Sequence, residues 1–211
     1  MTIVHVLNIN NYFPELCEIT MPLIKHYSEK INAKLNIITE RKYHSFPVTY
    51  EKMQVYNMGA NADWNILIDA DMVIHPDAPD LSKLFTPDTV GIQSSFDADK
   101  QFAADEYFLR DGRRLGVAGG LLATSRMTHD FWTPLEFGYE IAKTRTKRQH
   151  ILDEYCMSRN MAKFGLKYMG IGNFDMFKHI GVAADHEGQE IDETKEQKIE
   201  KAKKFIKSFY Y

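Results

Sequence analysis

The stretch Trp64-Asn65-Ile66-Leu67-Ile68-Asp69-Ala70-Asp71-Met72-Val73-Ile74 decides how the rest of the chain is read. An apolar run enters two acids, returns to apolar residues, and breaks at His75-Pro76-Asp77, as a buried strand ending at a polar edge does. Residues two apart on a strand point to the same side, so Asp69 and Asp71 are expected to present their carboxylates together. Bare carboxylates there repel one another and lose hydration, a cost that a hard divalent cation with oxygen ligands removes. Mg2+ or Mn2+ is therefore the expected ion. Such ions keep open positions that substrate phosphates fill, and a nucleoside diphosphate suits that role. A three-residue motif also arises by chance, and a surface Asp-Ala-Asp turn is the bland alternative.

Working outward, residues 3–9 read as a short buried strand. Leu16, Ile19, Leu23, Ile24, Tyr27 and Ile31 then recur at helical spacing. Residues 35–39 read as a second strand, so the chain opens β-α-β, the unit of parallel sheets under helical cover. Ligands bind such sheets at the carboxyl ends of the strands. A helix is expected over residues 50–58, with Met53 and Tyr56 inward and Gly59 as its stop. Further strands are expected over residues 90–93, 116–124, 166–169 and 176–182. Helices are expected over 128–144 and 149–164, and a last one carries Ile199, Ala202, Phe205, Ile206 and Phe209 on one face. The polar segment 94–114 lacks periodicity and reads as a long loop, a candidate flap over a bound ligand.

With 211 residues, 44% of them hydrophobic and 26% charged, the composition is that of a globular protein, and one domain is expected. A net charge of −3 gives no general basic field, so no nucleic-acid partner is expected, although residues 195–207 are locally Lys-rich. With Phe205, Phe209, Tyr210 and Tyr211 that helix either touches an anionic membrane or partner, or packs on the core with its lysines solvated. Cys17 and Cys156 sit among apolar neighbours and are expected to be buried free thiols in a reducing compartment. The N-terminus turns polar too soon for a signal peptide or anchor, so no integral membrane segment and a cytoplasmic location are expected.

Three runs in order, Glu51-Lys52-Met53-Gln54-Val55-Tyr56, Ile66-Leu67-Ile68-Asp69-Ala70-Asp71 and Ala118-Gly119-Gly120-Leu121-Leu122-Ala123-Thr124-Ser125-Arg126, resemble the GT-A fold glycosyltransferases, particularly the small family 8 like members. The resemblance implies an α/β, Rossmann-like GT-A fold with a mostly parallel twisted sheet between helices. It implies one such domain over residues 1–211, with 187–211 a helical tail. The activity it implies is metal-dependent transfer of a sugar from a nucleotide-sugar donor to an unknown acceptor. A UDP-sugar is favoured, with GDP-mannose the other donor. Asp71 would bind the metal, and Asp69, with Ala70 between them, the metal or the ribose. Asn8, Asn10 and Tyr12, after the first strand, would contact the nucleoside, and Lys52 would lie near the donor.

Gly119 and Gly120 would admit close backbone approach to a sugar. Read alone, Lys52 is equally a solvated helix residue and the glycine pair a structural bulge. The family's acid facing the sugar corresponds to Asp153 or Glu154, Asp153 being preferred; as bare sequence, the two are an acidic helix start. A third, histidine ligand is implied, His179 preferred to His186, although the family's His-x-x-Gly-x-x-Lys-Pro-Trp ending is absent. Arg41, Arg113 and Arg114 are candidates to steady a diphosphate. Two alternatives stay open: a catalytically silent GT-A scaffold, and a haloacid dehalogenase like phosphatase with a nucleophilic Asp69.

Overall fold

A computed structural model describes the chain except residues 11, 113–114, 173–174, 182, 185–189, 192 and 211, and describes only the backbone at 183–184, 190–191 and 210. Strand β1 (Thr2–Leu7) leads through helix α1 (Pro14–Lys30) to β2 (Lys34–Ile38). A 3-10 segment, Val48–Gln54, and one α turn, α2 (Val55–Met58), precede β3 (Trp64–Ile68) and β4 (Met72–Ile74). Then come β5 (Thr89–Ile92), β6 (Ser95–Asp97), α3 (Ala98–Gln101), α4 (Glu106–Asp111), β7 (Leu115–Val117) and β8 (Leu121–Ser125). The rest includes α5 (Tyr139–Ala142), α6 (Leu152–Lys163), β9 (Lys167–Gly170), β10 (Phe177–His179), the paired short strands Ala183–Ala184 and Glu190–Ile191, and α7 (Lys195–Lys207).

Six strands form the central sheet in the order β2-β1-β3-β8-β5-β9. Pairing is parallel except around β8, which runs against both β3 and β5. The period-two rule fixes what each face buries: Ile66 and Ile68 enter the core under α1, while Leu67 between them enters the core under α6. On α1, Leu16, Thr20, Ile24 and Tyr27 share the buried side, and each fully buried aliphatic chain contributes about 1.5–3 kcal/mol. The outer sheet edge leaves β1, β2 and β3 pointing the same way, so the chain following each of them collects at one end of the molecule. Among the described residues, no helix is long and apolar enough to cross a membrane.

Four expectations of local structure need correction. The helix predicted over residues 128–144 is a 3-10 segment, Arg126–Trp132, and the single turn α5, with no helix between. Pro134 explains the break, because its ring disfavours a helical residue before it and it offers no N–H. The segment 94–114 is no free loop: β6 pairs with β7, and α3 and α4 lie between them. Its buried Asp105 accepts hydrogen bonds from Tyr155 Oη at 2.8 Å and Arg159 Nε at 3.2 Å, which ties it to α6. Elements of three to six residues are too short to show a period. The expected helix 50–58 begins as a 3-10 segment, and the expected strand 116–124 is cut into β7 and β8 at Ala118-Gly119-Gly120.

A buried polar bridge links the first three strands. His5 Nε2 donates to Asn65 Oδ1 at 2.9 Å, Asn36 Nδ2 donates to His5 Nδ1 at 3.0 Å, and Asn65 Nδ2 donates to the Gly59 carbonyl at 3.2 Å. A side chain at Gly59 would run into Asn65, whose Oδ1 lies 2.1 Å from where a Cβ would stand. Burial pushes the His5 imidazole down from 6.5 to about 4, against the opposing pull of Asn65. The unfolded chain therefore binds one more proton than the folded chain between those values, and stability falls as pH drops from 6.5 towards 4. The loss from this residue is about 3 kcal/mol. Chemical denaturation across that range is expected to show a shallower acid slope in His5→Phe than in wild type; equal slopes would contradict a buried neutral His5.

Candidate active site

Asp69 and Asp71 stand where β3 gives way to β4, and the fold brings four elements to them. The Asp69 N–H donates to the Gly120 carbonyl at 2.9 Å, which sets the start of β8 beside the motif. Strand β10 pairs antiparallel with β4, His179 opposite Met72, and this register swings His179 onto the acids. His179 Nε2 lies 2.9 Å from Asp71 Oδ1 and 3.8 Å from Asp69 Oδ2. From the loop after β1, Tyr12 Oη donates to Asp71 Oδ2 at 3.4 Å.

The fourth element is the 3-10 segment carrying Lys52, which is only 5% exposed. Its ammonium sits 2.9 Å from Asp69 Oδ1 and 3.3 Å from Asp153 Oδ2, and donates to the Gly119 carbonyl at 3.1 Å. Lys52 is thus no solvated helix residue. It ties the acidic motif to the start of α6, where Glu154 Oε1 accepts from the Gly119 N–H at 2.9 Å. Asp153, 2% exposed, is enclosed against Lys52, whereas Glu154 stays partly exposed.

The charges shift one another in opposite directions. Burial lowers Lys52, but Asp69 and Asp153 outweigh it and the ammonium is held above its usual value. Burial raises Asp69, with Lys52 pulling the other way and Asp71 adding to the rise. Burial also acts to raise Asp71, but contact with His179 reverses this and holds its carboxyl low. His179 itself is disfavoured as a cation by burial, yet Asp71 lifts it above 6.5. Burial and Asp153 push Glu154 up to about 7, against the Gly119 N–H and Lys52. Burial, then the Asp71 and Asp69 charges, raise Tyr12 to about 12.

One carboxylate oxygen of each acid and one ring nitrogen of His179 lie within 4.8 Å of one another. Asp71 Oδ1 is buried, with the His179 ring nitrogen 2.9 Å away. Two neighbouring carboxylates in a buried setting repel each other and are poorly hydrated, and a cation shared by the three side chains would offset that cost. Two hard oxygens and one imidazole suit Mn2+ or Mg2+. The residues present therefore fit such an ion.

The other predicted residues divide. Asn8 holds the β1–α1 loop by accepting the Tyr12 N–H at 3.1 Å, and that loop takes left-handed backbone at Asn10 (φ 57°) and Phe13 (φ 41°). Ala70 does not face the site: its methyl is buried and its carbonyl accepts from Thr20 Oγ1 at 2.5 Å. Gly119 is tightly enclosed, a Cβ there lying 3.1 Å from both Asp153 Oδ2 and Lys52 Nζ, while Gly120 has ordinary clearance from Asp69 and His179. Arg41 is committed elsewhere, pairing with buried Glu51 at 3.3 Å and donating to the Tyr43 and Phe46 carbonyls, so it does not steady a diphosphate here. His186, Arg113 and Arg114 lie outside the described residues.

Gly181 was missed as a site residue, although it lies two positions after His179. A Cβ on it would stand 1.9 Å from Asp71 Oδ2. The Asp71 carboxylate is short and held by Tyr12 and His179, so it would have to rotate away from the histidine. Gly181→Ala is accordingly expected to weaken Mn2+ binding at least about tenfold by titration calorimetry, with little change in helical circular dichroism. Wild-type affinity in that variant would contradict the role of this backbone in holding Asp71.

No family model matches the sequence, and no curated protein matches it. Solved structures do. A glycosyltransferase involved in the glycosylation of the major capsid of PBCV-1 is similar over 96% of this chain and 98% of its own, at 8% identity and a TM-score of 0.55. The WbbM bifunctional glycosyltransferase in its apo structure is similar over 82% of this chain and 39% of its own, at 13% identity and a TM-score of 0.50. At these identities the likeness speaks to architecture, and with the mixed sheet described above the chain has the GT-A fold.

Proposed function

We propose that this protein is a glycosyltransferase that takes a sugar from a nucleoside diphosphate donor, a UDP-sugar in preference, with Mn2+ or Mg2+ held by Asp69, Asp71 and His179. The observation that carries this reading is the convergence of two carboxylates and an imidazole, with ligand atoms within 4.8 Å of one another, at the carboxyl edge of a GT-A sheet. A bound ion would offset the negative charge that grows on the diphosphate as the sugar leaves. The fold's likeness to glycosyltransferases of known structure supports the same class, and the family 8 like reading and the UDP preference rest on the sequence resemblance.

The protein's own groups then take separate roles. Tyr12, 49% exposed beside Asp71, offers its ring to the nucleoside from the loop that Asn8 braces. Lys52 holds Asp69 and Asp153 in place. Glu154, partly exposed and titrating near neutrality, is the better placed of the two acids to exchange a proton with an acceptor hydroxyl or to position it. Asp153, preferred from sequence, is enclosed against Lys52 and acts here through that lysine. Residues 1–211 are read as one GT-A domain; of the helical tail expected over 187–211, Lys195–Lys207 is helix, Glu190–Ile191 pairs as a strand with Ala183–Ala184, and 187–189, 192 and 211 lie outside the described residues. The buried free thiols Cys17 and Cys156 support a reducing, cytoplasmic setting.

A haloacid dehalogenase like phosphatase carries its nucleophilic Asp on the first strand, whereas Asp69 follows β3, and that reading is set aside. For the silent scaffold, no feature among the described residues of the site favours inactivity. The test is a thermal-shift measurement with UDP and GDP, each with Mn2+ and with chelator. UDP at about a hundred times its dissociation constant, with Mn2+, is expected to stabilise the fold by about 2.7 kcal/mol, or about 5–10 °C in Tm. Chelator or Asp71→Asn is expected to abolish the shift. An equal shift in either condition, or none in the wild type, would overturn the proposal.

A further inference from the structure

Beyond the charged cluster, the surface carries an open groove of about 590 Å³ lined by Ser45, Phe46, Pro47, Tyr139, Gln149 and His150. Its position follows from the topology. Residues 39–47 leave β2 at the same end of the sheet at which Asp69 and Asp71 leave β3, because β1 runs parallel to both strands. The chain then enters the 3-10 segment that carries Lys52. The opposite wall is the 3-10 turn Gln149–Ile151, which continues directly into α6 with Asp153 and Glu154 in its first turn. His150 precedes Asp153 by three residues, one helical turn or about 5–6 Å along the chain. Thr49 Oγ1 donates to the His150 carbonyl at 2.6 Å and joins the two walls.

The lining has a definite chemistry. Phe46 is stacked on buried Tyr50, with ring centroids 4.1 Å apart and planes at 19°, and meets Tyr139 edge to face at 5.9 Å. These contacts hold Phe46 and Tyr139 in place before any ligand arrives. Tyr139 Oη donates to Gln149 Oε1 at 2.6 Å, which leaves the amide nitrogen of Gln149 and the ring of exposed His150 at the rim. The six lining residues include no lysine or arginine, and the Lys143 ammonium 5.8 Å from the Tyr139 ring centroid is paired with Glu140.

We propose that this groove is the acceptor subsite and that it takes a neutral saccharide of one or two rings. The inference rests on the transferase reading above, whose acceptor it names by class. A pyranose has an apolar C–H face that packs on an aromatic ring and hydroxyls that need donors and acceptors around its edge. Phe46 and Tyr139 supply the first, and Ser45, Gln149 and His150 the second. The turn that forms the groove wall continues into the helix start that carries Glu154.

Ligand-observed saturation-transfer NMR with lactose, maltose, cellobiose and N,N′-diacetylchitobiose, in the presence of Mn2+ and UDP, tests the assignment. At least one disaccharide is expected to bind the wild-type protein. Phe46→Ala and Tyr139→Ala are expected to weaken that binding at least about tenfold while keeping the metal-dependent UDP shift in Tm. Gln149→Ala, on an exposed turn, is expected to weaken it severalfold and covers the case in which an aromatic variant fails to fold. Binding of none of the four by protein that responds to UDP, or binding untouched by all three substitutions, would overturn the subsite. Saccharide binding that is lost in the variants, by protein that shows no UDP response, would uphold the groove and overturn the donor reading instead.

Discussion

Two carboxylates placed two residues apart at the end of a buried strand set the terms for everything around them. Asp69 and Asp71 repel each other across a few ångströms, an interaction of about 4 kcal/mol at the dielectric typical of partly buried sites. Asp153 and Glu154 bring two more carboxyl groups to the same place. Facing these four are two cationic side chains, Lys52 and His179. A divalent ion held by Asp69, Asp71 and a neutral His179 would supply the positive charge that is short here.

The sheet makes this cluster possible by direction. Parallel β1 and β3 deliver the Tyr12 loop and the acidic motif to one edge, and antiparallel β8 starts at that edge with Gly119 and Gly120. Lys52 then spans from the acidic motif to α6, so the donor side and the acid at the helix start share one buried ion-pair network. Buried networks of this kind are sensitive to the loss of a single partner, because the remaining charges stay desolvated. The positive φ angles at Asn10 and Phe13 belong to the same economy of position, since they turn the chain after β1 so that α1 can begin while Tyr12 reaches Asp71.

Much of this was legible in the sequence. The apolar lead into Asp69-Ala70-Asp71 placed the site, the opening β-α-β placed the sheet, and the order of the Lys52, Asp71 and Gly119 segments pointed to the GT-A architecture. What escaped was whatever depends on distant partners. Arg41 is indistinguishable in sequence from a free phosphate-binding arginine until Glu51 is seen beside it. Gly181 looks like any glycine after a strand, and only the pairing of β10 with β4 puts it against Asp71. Asp153 and Glu154 are neighbours of the same charge type, and only the path of Lys52 shows which of them is enclosed. Pro134 was the exception, a local signal strong enough to have broken the helix expected over residues 128–144.

The central claim is that Asp69, Asp71 and His179 hold one divalent ion between them, and crystals grown with Mn2+ and UDP test it most directly through anomalous scattering. The account predicts a single strong manganese peak bonded to one oxygen of each acid and to a ring nitrogen of His179, with diphosphate oxygens completing its shell. A manganese peak away from these three side chains, or UDP bound there with no metal peak, would contradict it.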